Sequence, residues 1–66
     1  MEFEFENSFD VNKYPEVAAN QALSQILGEK VAEMRRFMDM MKGGVRQMRS
    51  NVVVDGLNYK FVLKLV

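Results

Sequence analysis

Residues 52–63 read VVVDGLNYKFVL. Asp55-Gly56 between two apolar runs is the signature of a two-residue hairpin turn, whose central residues need positive φ. The strand after the turn alternates without error. Leu57, Tyr59, Phe61, Leu63 and Leu65 face one side, and Asn58, Lys60, Val62, Lys64 and Val66 the other. A turn of this length pairs Val54 with Leu57 and Val52 with Tyr59. A β-hairpin over residues 51–66 follows. Its second strand is the longer one, so residues 61–66 need another neighbour.

The opening stretch MEFEFE supplies that neighbour. Met1, Phe3 and Phe5 alternate with Glu2, Glu4 and Glu6, the period of a half-buried strand over residues 1–6. Its aromatic face extends the Phe61/Leu63/Leu65 face. Its acids then lie beside Lys60 and Lys64, a cross-strand match that contributes about 0.2–1 kcal/mol per pair. A small three-stranded antiparallel sheet is expected, with the C-terminal strand central. The pairing of the two end strands is open to another copy of the chain.

Between the strands lies a helical stretch. Residues 7–13 carry Asn, Ser and Asp and read as a connection. Tyr14 before Pro15 marks a boundary, and Pro15 suits a first helical position. Helix is expected over residues 15–49, with possible breaks at Gly28 and at Gly43-Gly44. An apolar seam runs through it: Leu27, Val31, Met34, Met38, Met41, Val45 and Met48, spaced 4, 3, 4, 3, 4 and 3. The seam keeps its phase across Gly43-Gly44, which favours a continued helix over a glycine cap.

The fold class is therefore α+β, in the order β-α-β-β: a long or kinked helix, or two helices, packed on a small sheet. A chain of 66 residues is one domain and is marginally stable alone. It has no Cys and no His, which removes disulfides, thiolate metal sites and the commonest metal ligand. Self-association is the stabilising device left, and the seam is the surface expected to provide it, in a dimer or a higher oligomer.

No catalytic constellation is present. Ser8, Ser24 and Ser50 have no suitable base, Glu29 and Glu33 read as solvated helix acids, and the glycines do not form a phosphate loop. The protein is expected not to be an enzyme, and no metal or cofactor is expected. The strand–helix order superficially resembles ribbon-helix-helix DNA-binding proteins. Outward Glu2, Glu4 and Glu6 would face phosphate there, which is the wrong sign, and the C-terminal hairpin departs from that pattern.

Net charge is zero but uneven: residues 1–28 carry −4 and residues 29–66 carry +4. On a continuous helix, Arg35, Lys42, Arg46 and Arg49 line one shoulder of the seam and can grip an anion, with Tyr14 or Tyr59 available to stack on a base. The bland alternatives are that the halves neutralise each other and that the bases flank an oligomer seam. Lacking a basic start followed by an apolar run, the chain is expected to have no secretory leader. It has no membrane-length apolar stretch either, so a cytoplasmic protein is expected.

Two functions follow as expectations. The first is a small non-enzymatic homo-oligomer that binds and regulates or inhibits a protein or other macromolecular partner, by analogy with phage and accessory regulators. The second is a binder or sequestering protein for an anionic ligand such as a nucleotide or nucleic acid.

Overall fold

The computed structural model describes residues 2–66. Met1, part of the expected first strand, lies outside the described residues. The elements are β1 (Glu2–Glu6), a 3-10 turn (Val11–Lys13), α1 (Pro15–Ala18), α2 (Gln21–Met40), β2 (Gln47–Val54) and β3 (Leu57–Lys64). The class is α+β: a long helix on a three-stranded mixed sheet ordered β1-β3-β2.

The hairpin forms as the Asp-Gly turn requires. Asp55 and Gly56 take φ of 52° and 77°, and Val54 pairs with Leu57. The ladder continues to Gln47↔Lys64, so β2 begins at Gln47 rather than residue 51. One alternation sorts the sheet into two faces. Phe3, Phe5, Val52, Val54, Phe61 and Leu63 are buried on the inner face. Glu2, Glu4, Lys60, Lys64 and Arg49 lie on the outer face, with buried Val62 in the middle.

The expected antiparallel sheet is corrected at β1, which pairs with β3 in parallel, from Glu2↔Lys60 to Glu6↔Lys64. The cause is a chain reversal ahead of α2. Asn20 is extended (φ −116°, ψ 97°), and its side-chain oxygen accepts the Leu23 amide at 3.1 Å, the N-cap of a new helix. The chain therefore leaves β1, travels out through residues 7–19, turns at Asn20 and comes back along α2. It re-enters the sheet at the end it left, where Lys64 has both Glu6 and Gln47 as partners. A single helix from residue 15 would have delivered the chain to the far end, giving the antiparallel pairing.

The helix bounds are corrected too. Gly28 lies inside α2 without interrupting it, and α2 stops at Met40. Lys42 and Gly43 then take left-handed φ of 49° and 83°, and the Gly44 amide donates to the Met41 carbonyl at 2.9 Å. Gly43 suits that conformation because it has no Cβ to clash.

The seam, expected to face another copy, is covered from within. Leu27, Val31, Met34 and Met38 are buried in one core with Val17, Leu23 and the inner face of the sheet. Val45 and Met48 pack against that core from beyond the helix, and Met41 is exposed. The 4-3 spacing thus records a helix facing its own sheet, and only the C-terminal members diverge. Phe5 anchors the aromatic side of the core, with ring centres 5.0 Å from Phe9, 5.1 Å from Tyr14 and 5.9 Å from Phe61.

A latch closes the end where the chain re-enters. Asn7, with φ of 67°, donates its amide to the Lys64 carbonyl at 2.7 Å and accepts the Val66 amide on its side chain at 3.0 Å. Arg35 from α2 donates to the Asn7 carbonyl at 2.7 Å. No helix is long and apolar enough to cross a membrane among the described residues.

Two substitutions test this packing by chemical denaturation. Leu27→Ala deletes a fully buried side chain and is expected to cost about 3 kcal/mol. Gly28→Ala is expected to stabilise by up to about 1 kcal/mol. Its new methyl would meet only the Phe9 ring, at an ordinary 3.9 Å. A loss of stability at position 28 would contradict an uninterrupted helix there.

Candidate functional site

The expected basic stripe does not form on one helix, because α2 ends before Lys42, Arg46 and Arg49. Arg35 is held by Asp39 at 3.1 Å and by the Asn7 carbonyl. Lys42 sits in the turn after α2. Arg46 donates to the Leu65 carbonyl at 3.1 Å. Arg49 lies on the outer face of β2, opposite Val62. The two tyrosines are committed to the core side. Tyr14 packs edge-on against Phe3 and Phe5, and Tyr59 stacks on Phe3 at 6.4 Å. Among the described residues, no three His, Cys, Asp or Glu side chains come together as a metal-binding set.

The two edges of the sheet differ sharply. Along β1 the ladder to β3 uses the odd residues, as the Asn7 amide on Lys64 shows, so the peptide groups of Glu2, Glu4 and Glu6 point away from the sheet. Two of those carbonyls are taken: the Tyr14 hydroxyl donates to Glu4 and the Ser8 amide to Glu6 at 2.7 Å. Residues 8–14 thus lie along this edge. With Glu4 and Glu6 they enclose an acidic cleft of about 340 Å³ that also holds Asp10 and Lys13. A covered, charged edge is one that resists pairing with other strands.

That environment acts on Tyr14. Burial, and then the carboxylates of Glu4, Glu6 and Asp10, push its hydroxyl above the usual tyrosine value. The neutral form is the one that can donate to the Glu4 carbonyl.

The β2 edge is open. In a hairpin with a two-residue turn the flanking pair exchanges hydrogen bonds, and the pattern then alternates. Val54, Val52, Ser50 and Met48 bond β3, and the Leu65 amide on the Arg46 carbonyl at 2.9 Å confirms that phase. The peptide groups of Gln47, Arg49, Asn51 and Val53 therefore point outward, and β2 is a border strand with no neighbour beyond it among the described residues. Eight residues is long for an unguarded edge, and it contains neither Pro nor Lys.

An apolar shoulder overhangs this edge. At 100° per residue, Lys30, Glu33, Phe37 and Met40 lie on the flank of α2 nearest β2. An open groove of about 300 Å³ separates that flank from Met48 and Ser50. Val53, 63% exposed, points to the outer face of β2, away from the helix; on the shoulder Phe37 is 45% exposed, Met40 76% and Met41 46%. Large apolar side chains grouped this way beside an open strand mark a contact surface.

Phe37, Val53 and the β2 backbone were not among the residues the sequence pattern brings forward. Phe37 and Met40 sit off the seam. The one available signal was the hairpin alternation, which leaves every second peptide of the outer strand unpaired.

The Tyr14 contact gives a pH test. A folded-state value above the unfolded one means stability is intact below the unfolded value and falls as pH rises through about 10 and beyond. Denaturation midpoints should drop more steeply above pH 10 in the wild type than in Tyr14→Phe. Equal slopes would show that Tyr14 is not held neutral by the fold.

No family model, no curated protein and no solved structure matches this chain.

Proposed function

We propose that this protein is a non-enzymatic interaction module that takes a protein partner onto the β2 edge, beneath the Phe37/Met40/Met41 shoulder. The observation that carries the reading is the asymmetry of the sheet, with β1 closed by Tyr14 and residues 8–14 and β2 left open over eight residues. An added strand satisfies the outward peptides of Gln47, Arg49, Asn51 and Val53, and the shoulder supplies apolar contact. The exposed methionines suit this role because their unbranched side chains adapt to a partner's shape. Regulation or inhibition then follows from occupancy: a partner segment held as a strand is withheld from its other contacts. The anion-binding alternative has less behind it, because Arg35 and Arg46 already donate to the Asn7 and Leu65 carbonyls and Arg49 stands on a different element from Arg35.

Proline substitution separates strand addition from side-chain contact. Asn51→Pro removes an amide that points outward and spares the β3 ladder, so the fold should survive with a loss of about 1 kcal/mol or less. Ser50→Pro removes a ladder amide and should destabilise the fold clearly more than Asn51→Pro does. A photo-cross-linking residue at Val53 should yield a cross-linked protein product in the expression host, and Asn51→Pro should abolish it while the circular dichroism spectrum stays folded. A product that persists with Asn51→Pro contradicts strand addition at this edge.

A further inference from the structure

We infer that the protein seated on the β2 edge is a second copy of this chain, related by a two-fold axis through Ser50. The inference rests on the open-edge reading above and names the occupant. The surface has two layers, a strand edge below and a helix flank above. An isolated peptide strand covers the edge alone. A second copy brings its own α2 at the same height above its own β2, so both layers are covered at once and the two sheets join into one of six strands.

Parity restricts the register. Two β2 strands that pair antiparallel keep inner face with inner face only if the axis passes through a residue rather than between two. An axis through Arg49 sets the two guanidinium groups directly opposite each other and is unfavourable. With the axis at Ser50, Arg49 lies opposite the partner copy's Asn51, an uncharged acceptor, and Met48 lies opposite Val52. Residues 47–53 are then all paired, and the outward peptides of Gln47, Arg49, Asn51 and Val53 bond one another across the junction.

Charge on the helix flank agrees with this symmetry. Lys30 and Glu33 lie one turn apart on the shoulder, and neither has an ion-pair partner among the described residues. A two-fold axis normal to the sheet sets the two helices antiparallel, which brings lysine from one copy toward glutamate of the other. A head-to-tail arrangement through β1 is disfavoured, because the Tyr14 hydroxyl and the Ser8 amide already occupy outward carbonyls on that edge. The assembly is therefore a closed pair rather than a growing sheet.

The chain has no cysteine, so one introduced thiol reports the register cleanly. Ser50 bonds β3 through its peptide, so across the junction it forms a non-hydrogen-bonded pair with its own symmetry mate, about 4.5 Å between Cα atoms. That lies within disulfide range. The experiment is sedimentation of the full chain over a range of concentrations, with mild oxidation of Ser50→Cys and, as control, Glu16→Cys. Expected are a concentration-dependent dimer, a disulfide-linked dimer from Ser50→Cys and not from Glu16→Cys, and at least tenfold weaker dimerisation in Asn51→Pro.

A chain that stays monomeric up to millimolar concentration overturns the second copy. So does growth beyond a dimer, or equal disulfide linkage in Ser50→Cys and Glu16→Cys. Amide exchange by NMR on the monomer then judges the edge itself. If the Gln47, Arg49, Asn51 and Val53 amides exchange at least a hundredfold faster than those of Met48, Ser50 and Val52, the edge is open and a foreign protein is its occupant. If they are equally protected, the open-edge reading fails as well.

Discussion

The architecture depends on one reversal. The Asn20 side chain accepts the Leu23 amide and starts a second helix where the first turn of helix would otherwise have run on. The hydrogen bond itself is modest, about 1 kcal/mol by comparison with other N-caps. Its topological effect is large, because it decides at which end of the sheet the chain arrives. With the reversal in place, α2 returns over the sheet, β2 descends from the end where β1 stopped, and β3 rises between them parallel to β1. The latch at Asn7, the burial of Leu27 through Met38, and the exposure of β2 as a border strand are all consequences of that order.

The pattern of side chains defined the faces of the sheet well and its directions poorly. Alternation has period two and reads the same in both directions along a strand. The charges share this symmetry. Glu2, Glu4 and Glu6 lie evenly about Glu4, and Lys60 and Lys64 lie evenly about Val62, so parallel and antiparallel β1 set an acid opposite each lysine equally well. In the structure Lys64 reaches Glu4 at 3.0 Å, but with both groups well exposed to water the contact adds little to either arrangement. What carried direction was Asn20 followed by Gln21-Ala22-Leu23, an N-cap signal that the continuous apolar pattern obscured.

The seam was legible as a helix stripe but not in what covers it. A stripe that faces a sheet and a stripe that faces another helix need the same residues at the same spacing. The stripe also reads longer than the helix because two periodicities meet at Met48. That residue fits the 4-3 spacing of α2, and it is also the first of the inward positions Met48, Ser50, Val52 and Val54 of β2. The basic stripe vanished for the same reason: Lys42, Arg46 and Arg49 are neighbours only on a helix that continues past Met40. The edge of β2 was the least legible feature, since it is made of peptide groups, which every residue but proline carries alike.

The parallel pairing of β1 with β3 also orders events during synthesis. Glu2 pairs with Lys60, and the strand that joins the sheet follows both helices and β2 along the chain. Phe3 and Phe5 therefore emerge from the ribosome long before the strand they pair with exists. Local contacts form quickly, and contacts this distant in the chain form late. Until β3 appears, β1 and β2 have nothing to hold them side by side, and α2 has only part of a surface to cover. The sheet is thus completed from its centre in one closing step, which ties the folding of the whole molecule to the arrival of its middle strand.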